Sequence, residues 1–448
     1  MDIKNATITE LLKNDGFCCK CGKKHFALVK DAVIESGAIK NALAGLVKKY
    51  GGTKVFVLCD KNTYAAAGEK VLAALGDAGI PHTLYCIKSD HPEPDEHSVG
   101  SVVMHFDHSC DCVVGIGGGV INDLGKILGR MTGKPYIIVG TAPSMDGYAS
   151  ATSSMARDGL KVSLDSMCPV AVVGDLDVLC RAPMRMLQAG VGDMIAKYVS
   201  ICEWRIAQLL VGEYYCEEVA GLVKTALKRV VDSADGLLRR EPEAVKSVMD
   251  GMILAGVCMN YAGMSRPASG MEHYFSHVWD MRGLEFGTPV DLHGIQCGIG
   301  TLYSLRVYDE LKKVVPDKEK ALRFVKNYSF ADWSEKLRAL LGTAAETMIE
   351  AEAKAGKYDL TKHAARLEKI VSGWDEIRRI MDEELPDAAY VEALLDKLGA
   401  PKSVEEIGID PAILKDCFAA TKDIRDKYVA SRLCWDLGVI DEIADKVF

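Results

Sequence analysis

Four residues of metal-binding type are scattered along a hundred-residue stretch of the chain: Asp193, His273, His277 and His293. Asp193 sits in Gly190-Val191-Gly192-Asp193-Met194-Ile195-Ala196-Lys197. His273 and His277 are four apart, a spacing that puts both imidazoles on one face of a helix. His293 opens another apolar run and can project from a second helix. One carboxylate and two imidazoles make three protein ligands and leave a position open for water or substrate, which is how a catalytic divalent metal is held. A structural zinc site normally takes four ligands, often thiolates. The same residue types also serve as caps, surface groups and satisfied core residues, so spacing alone does not decide.

A second local cluster, Cys18, Cys19, Cys21 and His25, falls in Phe17-Cys18-Cys19-Lys20-Cys21-Gly22-Lys23-Lys24-His25. A metal knuckle would use these types, but no second cysteine pair follows at zinc-ribbon spacing. The preferred reading is a tight turn of small residues. Most of the 15 cysteines, such as Cys59, Cys202, Cys258 and Cys434, sit singly inside apolar segments. They read as reduced core residues of a cytoplasmic protein, not as a disulfide framework.

The elements that must position these residues change character along the chain. Residues 54–60 are a continuous apolar run ending in Asp60, as in a strand buried on both faces of a parallel sheet. A helix is expected from about Thr63 to Ala78. Residues 82–88, 112–116, 136–140 and 170–174 are further strand candidates, and Asp95 can cap the helix after the second. Strands alternating with helices imply an open parallel α/β sheet. Residues 151–164, with Asp158-Gly159 at their middle, read as a hairpin on the sheet's edge. From Pro183 the apolar spacing turns helical, over 184–211, 213–236, 241–262, 293–312 and most of 317–445. The fold class expected is α/β: a Rossmann-like dinucleotide-binding domain over 1–182, then an all-helical metal- and substrate-binding domain over 183–448.

The totals exclude several classes. At 448 residues the chain is long enough for two domains. Its net charge of −9, with no basic stripe, argues against a nucleic-acid partner. No apolar run reaches membrane-spanning length, and no leader is expected from the first residues, so neither a membrane nor export enters the reading. A small-molecule substrate and a homo-oligomer are expected.

The strand over 112–116 runs into Gly117-Gly118-Gly119 and a helix start. Glycines there expose backbone N–H groups to a diphosphate, and the helix dipole favours the anion. The triplet is neither Gly-x-Gly-x-x-Gly nor a P-loop, and tight strand–helix turns use glycine for structural reasons too. Asp60 either accepts from an adenosine ribose, favouring NAD over NADP, or caps the next helix. The loop Thr141-Ala142-Pro143-Ser144-Met145-Asp146-Gly147-Tyr148-Ala149-Ser150 lies where open sheets hold ligands. Asp146 can bind a polyol there or close an Asx turn.

In order, these motifs are the glycine triplet with Asp123 and Lys126, Thr-Ala-Pro-Ser-Met-Asp-Gly, Gly-Asp193-x-Ile-Ala-Lys197, Ser265-Arg266-Pro267-Ala268-Ser269-Gly270-x-Glu-His273-x-x-x-His277 and His293-Gly. From about residue 17 to the C-terminus the chain resembles the sn-glycerol-1-phosphate dehydrogenases. These stand in a wider group with glycerol dehydrogenases, iron-type alcohol dehydrogenases and dehydroquinate synthases. The resemblance implies Asp193, His273 and His293 as metal ligands, with His277 as a proton relay or a supporting group near the metal. It implies Gly117, Gly118, Gly119 and Asp123 at the diphosphate, Asp60 at the ribose, Thr141 and Ser144 at the cofactor and Asp146 at the substrate. Val120 departs from the hydroxyl residue usual in the group's dehydrogenases. Lys197 and Arg266 are candidates for a substrate phosphate, or else ion-pair residues.

The reaction implied is metal-dependent, NAD(P)H-linked interconversion of dihydroxyacetone phosphate and sn-glycerol 1-phosphate. The cofactors would be NAD(H) or NADP(H) and one divalent metal, zinc before nickel or iron. Three alternatives are a glycerol dehydrogenase, a dehydroquinate synthase-like lyase and a non-catalytic nucleotide-binding protein.

Overall fold

Runs of Val, Ile and Leu too short for helices form strands whose two faces are both covered. The computed structural model describes residues 3, 6–12 and 16–448. In chain order its strands are β1 (Phe17–Cys18), β2 (Lys24–His25), β3 (Asp31–Glu35), β4 (Val55–Asp60), β5 (His82–Ile87), β6 (Cys112–Gly117), β7 (Tyr136–Gly140), β8 (Thr152–Arg157), β9 (Leu160–Asp165) and β10 (Ala171–Asp175). Six of them make one parallel sheet in the order β3-β10-β7-β6-β4-β5. The fold is α/β, a parallel sheet followed by helices.

Every residue of β4, β6, β7 and β10 is buried, which is why these strands read as unbroken apolar runs. Val55, Val57, Val114, Ile116, Ile137, Val139 and Val173 pack on one face with Leu43, Val47, Val71 and Leu75 of the helices Ala38–Lys49 and Glu69–Asp77. β3 had no counterpart among the expected strands. Its sequence, Asp-Ala-Val-Ile-Glu, is bounded by acids, and as an edge strand it is only half covered. The helix expected from Thr63 is interrupted by a π-helical turn at Tyr64–Gly68.

β8 and β9 form the expected hairpin, with Asp158 and Gly159 both at positive φ (53° and 73°) in its turn. It is a separate two-stranded sheet, not an extension of the six-stranded edge. Ser153 Oγ donates to the Asp123 carbonyl and Arg130 donates to the Ser166 carbonyl, so the hairpin is pinned along the helix Gly119–Thr132.

After β10 the described chain is helical. The chain packs as two compact units, Met1–Met194 with Cys216–Ser265, and Ile195–Tyr215 with Arg266–Phe448. This division does not follow the change in secondary structure. The helices Glu217–Asp232 and Pro242–Ala262 pack in the unit that holds the sheet. Among the described residues no helix is long and apolar enough to cross a membrane.

Within the first unit, the start of the helix Met184–Val211 presses on the loop after β7. A Cβ on Gly190 would lie 2.0 Å from the Pro143 carbonyl oxygen. Helical φ and ψ suit alanine, so what excludes it is this contact and a second one with Val248 Cγ1 at 2.9 Å. Gly190→Ala should destabilise the protein by about 1–3 kcal/mol through overpacking, read as a lower denaturation midpoint. An unchanged midpoint would show that the loop moves aside freely.

Candidate functional site

In the sheet-bearing unit the candidate cofactor residues gather at the carboxyl ends of β4, β6 and β7. Gly117 is glycine for packing, because a Cβ there would meet Ile121 Cβ at 2.6 Å. Gly118 and Gly119 have no such conflict. A Cβ on Gly118 would meet only Ser144 Oγ, at 3.8 Å, and one on Gly119 would come no closer than 3.4 Å to Met145. None of the three has positive φ. Their missing side chains therefore leave a cradle beside Ser144 at the start of the helix Gly119–Thr132, whose N-cap makes no side-chain hydrogen bond. Such a terminus suits a phosphate group.

Thr141 N–H donates to the Gly117 carbonyl at 3.2 Å, joining the loop after β7 to the glycines. Asp60 ends β4, the neighbour of β6, and is buried. It caps the following helix by accepting from Thr63 N–H at 2.9 Å. Its capping role is thus realised, through one carboxylate oxygen. Asp123 forms an ion pair of 2.9 Å with Lys126. Lys126 is fully buried and also donates to the Gly147 and Thr152 carbonyls. Asn122 donates to the same Gly147 carbonyl at 3.0 Å. This helix thereby fixes the loop at Gly147.

The residue before Gly147 is held by the carboxylate expected at the metal. Asp193 Oδ2 accepts the Asp146 N–H at 2.9 Å. Gly190, three residues earlier on the same helix, is what lets the helix approach. Asp146 opens a short 3-10 turn, Asp146–Ala149, at this point.

The second unit presents the histidines. His273 lies in the first turn of the helix Met271–Phe286, and His293 begins the helix His293–Leu311. Buried Glu272 turns its carboxylate back on its own helix start, accepting from Gly270 N–H at 2.6 Å and from His273 Nδ1 at 2.9 Å. Donation from Nδ1 leaves the Nε2 lone pair outward, the state a metal ligand needs. His293 Nδ1 lies 3.0 Å from Ser276 Oγ, which also accepts from Gln296 Nε2. Cys297, one turn after His293, places its sulfur 3.5 Å from His293 Nε2. Ligand atoms of His273, His293 and Cys297 lie within 4.8 Å of one another, so this donor set suits a divalent metal. Burial alone would raise the Cys297 thiol, but His273 and His293 outweigh it and hold its pKa below the ordinary value. His277 stands further out, its ring centre 6.5 Å from that of His273 and 6.0 Å from that of His293.

Arg266 is buried and engaged. Its guanidinium grips the Glu213 carboxylate through two bonds, of 2.8 and 2.6 Å, and donates to the Tyr428 carbonyl. Lys197 lies one helical turn beyond Asp193, on the same face of the helix, and is buried. Three residues had escaped the sequence reading. Glu272 adjoins His273, and Cys297 follows His293 by four, so a helical wheel reveals both. Lys427 gives no such signal. Burial pushes its amine down to about 7, and it donates to the Ser269 carbonyl at 2.8 Å.

Residues 33–183 match the iron-containing alcohol dehydrogenase family. The chain is 35% identical over 299 residues to the glycerol-1-phosphate dehydrogenase [NAD(P)+] of Thermococcus kodakarensis, spanning 65% of this chain and 83% of that one. It is 27% identical over 431 residues to the enzyme of the same name from Bacillus licheniformis, spanning 96% and 94%. The chain belongs to the glycerol-1-phosphate dehydrogenase family. Its fold is that of an alcohol dehydrogenase from Oenococcus oeni, with a TM-score of 0.60 at 16% identity over 95% of this chain and 100% of that one.

The histidine-bearing helix rests on a second buried acid. Glu203 accepts from Met271 N–H and from Ala430 N–H. Burial, and then the charge of Glu272, push its carboxyl up to about 8 from an ordinary 4.5. Below 4.5 it is protonated folded and unfolded alike. Between 4.5 and 8 the unfolded chain gives up a proton that the folded chain keeps, so stability falls as pH rises, by up to about 1.4 kcal/mol per pH unit. Glu203→Gln should flatten this slope between pH 5 and 8 in denaturation midpoints. Equal slopes in both proteins would contradict the raised carboxyl.

Proposed function

We propose that this protein interconverts dihydroxyacetone phosphate and sn-glycerol 1-phosphate with a nicotinamide cofactor and one divalent metal. Membership of the glycerol-1-phosphate dehydrogenase family carries this reading. The arrangement of the histidines supports it, because a neighbouring side chain holds Nδ1 of each and their ligand atoms converge with the Cys297 sulfur.

His273 and His293 would hold the metal through Nε2, with Asp193 as the carboxylate ligand. Cys297 adds a soft donor within reach, which favours zinc over harder ions. A bound divalent metal supplies Lewis acidity to a carbonyl oxygen, and the nicotinamide supplies or takes the hydride. The chain's own contribution is orientation. Backbone N–H groups of Gly118 and Gly119 and the helix dipole behind them would take the diphosphate, with Thr141 and Ser144 beside it. Asp60 would receive the ribose, which disfavours a 2′-phosphate and so favours NAD over NADP. Asp146, held by its own N–H on Asp193, would orient a substrate hydroxyl. His277, set back from the other two imidazoles, would pass the proton.

The substrate's phosphate needs cations. We assign it to Lys197 and to Lys427. Arg266, already neutralised by Glu213, then acts by positioning the Ser265–Gly270 segment. We further propose a cytoplasmic, homo-oligomeric enzyme.

The test follows NADH and NADPH oxidation with dihydroxyacetone phosphate and, in parallel, dihydroxyacetone, with chelator as control. Chelator-sensitive oxidation of the phosphate ester alone is expected, with sn-glycerol 1-phosphate as product. Equal turnover of dihydroxyacetone would remove the phosphate site and make the protein a polyol dehydrogenase. Asp193→Ala, His273→Ala and His293→Ala should each lose metal and turnover together. Glu272→Ala should weaken metal retention by about 10–100-fold, as loss of a histidine's orienting carboxylate does. Full activity in any metal-free variant would end the metal's role.

A further inference from the structure

The hairpin formed by β1 and β2 brings two cysteines and a histidine of the N-terminal segment next to a third cysteine from far along the chain. Cys19 Sγ lies 3.6 Å from Cys216 Sγ, 197 residues away. Cys21 Sγ is 3.3 Å and Cys216 Sγ 3.5 Å from His25 Nε2. The ligand atoms of Cys19, Cys21, His25 and Cys216 all lie within 4.8 Å of one another. Cys18, the exposed member of the sequence cluster, is not part of this group.

We propose that these four residues bind a structural zinc ion, separate from the histidine site. A tetrahedral zinc with sulfur ligands at about 2.3 Å and an imidazole at about 2.0–2.1 Å has S···S edges of about 3.8 Å and S···N edges of about 3.5 Å. The three distances above match those edges. A disulfide would instead need about 2.05 Å between sulfurs. Three thiolates and one imidazole fill the tetrahedron and leave no position open, the mark of a structural site.

The surroundings fit this role. His25 is buried, and its Nδ1 lies 2.7 Å from the Tyr261 carbonyl, so the ring donates there and turns Nε2 to the sulfurs. Phe17 and Tyr261 flank the imidazole at 5.1 and 5.6 Å between ring centres. Cys19 N–H donates to the Lys23 carbonyl and Gly22 N–H to the Cys19 carbonyl, with Gly22 at φ 86°, so the loop folds tightly around its two cysteines. Cys216 is the N-cap of the helix Glu217–Asp232, where the dipole favours a thiolate. Exposed Lys20, Lys23 and Lys24 lie on the same hairpin and offset the single net negative charge of three thiolates on zinc. The ion would tie the hairpin to this helix and, through Tyr261, to the helix Pro242–Ala262. Asn260 of that helix donates to the Ala149 carbonyl at the end of the loop that carries Asp146.

Metal content and cobalt spectra of the full chain decide the matter. The His293→Ala protein, whose histidine site is disabled, is loaded with cobalt(II). It should show the near-ultraviolet thiolate-to-cobalt charge transfer and strong visible absorption of a tetrahedral three-thiolate site. Adding Cys216→Ser or Cys19→Ser should abolish that spectrum, and adding Cys18→Ser should leave it intact. By elemental analysis, Cys216→Ser and Cys19→Ser should hold one zinc per chain fewer than the unsubstituted protein and Cys18→Ser. Equal zinc in all four would overturn the proposal. So would a Cys19–Cys216 disulfide found by peptide mapping of the unreduced protein. If the serine variants fail to fold, the spectrum of the His293→Ala protein alone still decides, because no thiolate charge transfer means no such site.

Discussion

The loop Thr141–Ser150 is held at two adjacent residues, Asp146 and Gly147, by buried polar and charged groups, and the candidate site of the sheet-bearing unit depends on that restraint. Asp193 accepts the Asp146 N–H, and Lys126 and Asn122 donate to the carbonyl of the next residue, Gly147. A loop ten residues long would otherwise sample many conformations, each residue costing about 1–2 kcal/mol of backbone entropy to fix. Here the cost is met by hydrogen bonds to charged groups, which are roughly twice as strong as neutral ones. Replacing Asp193 would also remove the acceptor of the Asp146 N–H. Its two proposed roles, metal ligand and loop anchor, are one piece of geometry.

In the histidine-bearing unit the same economy of groups recurs. Glu272 both caps its helix and holds His273; Ser276 both meets His293 and accepts from Gln296. Buried carboxylates of this kind are destabilising unless paired. Glu203 bears this out by drawing its carboxyl towards the neutral form while Glu272 stays engaged with His273. Stability is thus given up locally where Glu272 holds His273 with Nδ1 as donor, the arrangement that pre-orients a ligand for a metal.

Much of this was legible in the sequence because the signals are local and periodic. β7 and the helix Met184–Val211 emerge at the expected residues, since strand and helix there carry unbroken patterns. β3 was not legible: a half-covered edge strand bounded by Asp31 and Glu35 offers neither a continuous nor an alternating apolar run. The π-helical turn at Tyr64–Gly68 leaves no compositional mark. Arg266 illustrates a different limit. Its motif pointed to chemistry, but only the fold shows that Glu213, 53 residues earlier, already takes up its charge.

The N-terminal cysteines mark the boundary most clearly. A search for zinc ligands by spacing looks for two pairs close in sequence, because short loops close at little entropic cost. Cys19, Cys21 and His25 satisfy half of that rule, and the missing ligand is a single cysteine at the start of a helix almost 200 residues on. Loop-closure cost grows only as the logarithm of length. Once the sheet and the helices Glu217–Asp232 and Pro242–Ala262 have formed, bringing Cys216 to the hairpin requires little further ordering. The fold, not the spacing, assembles the fourth ligand, and a cluster that reads alone as a tight turn acquires the geometry of a closed tetrahedral site.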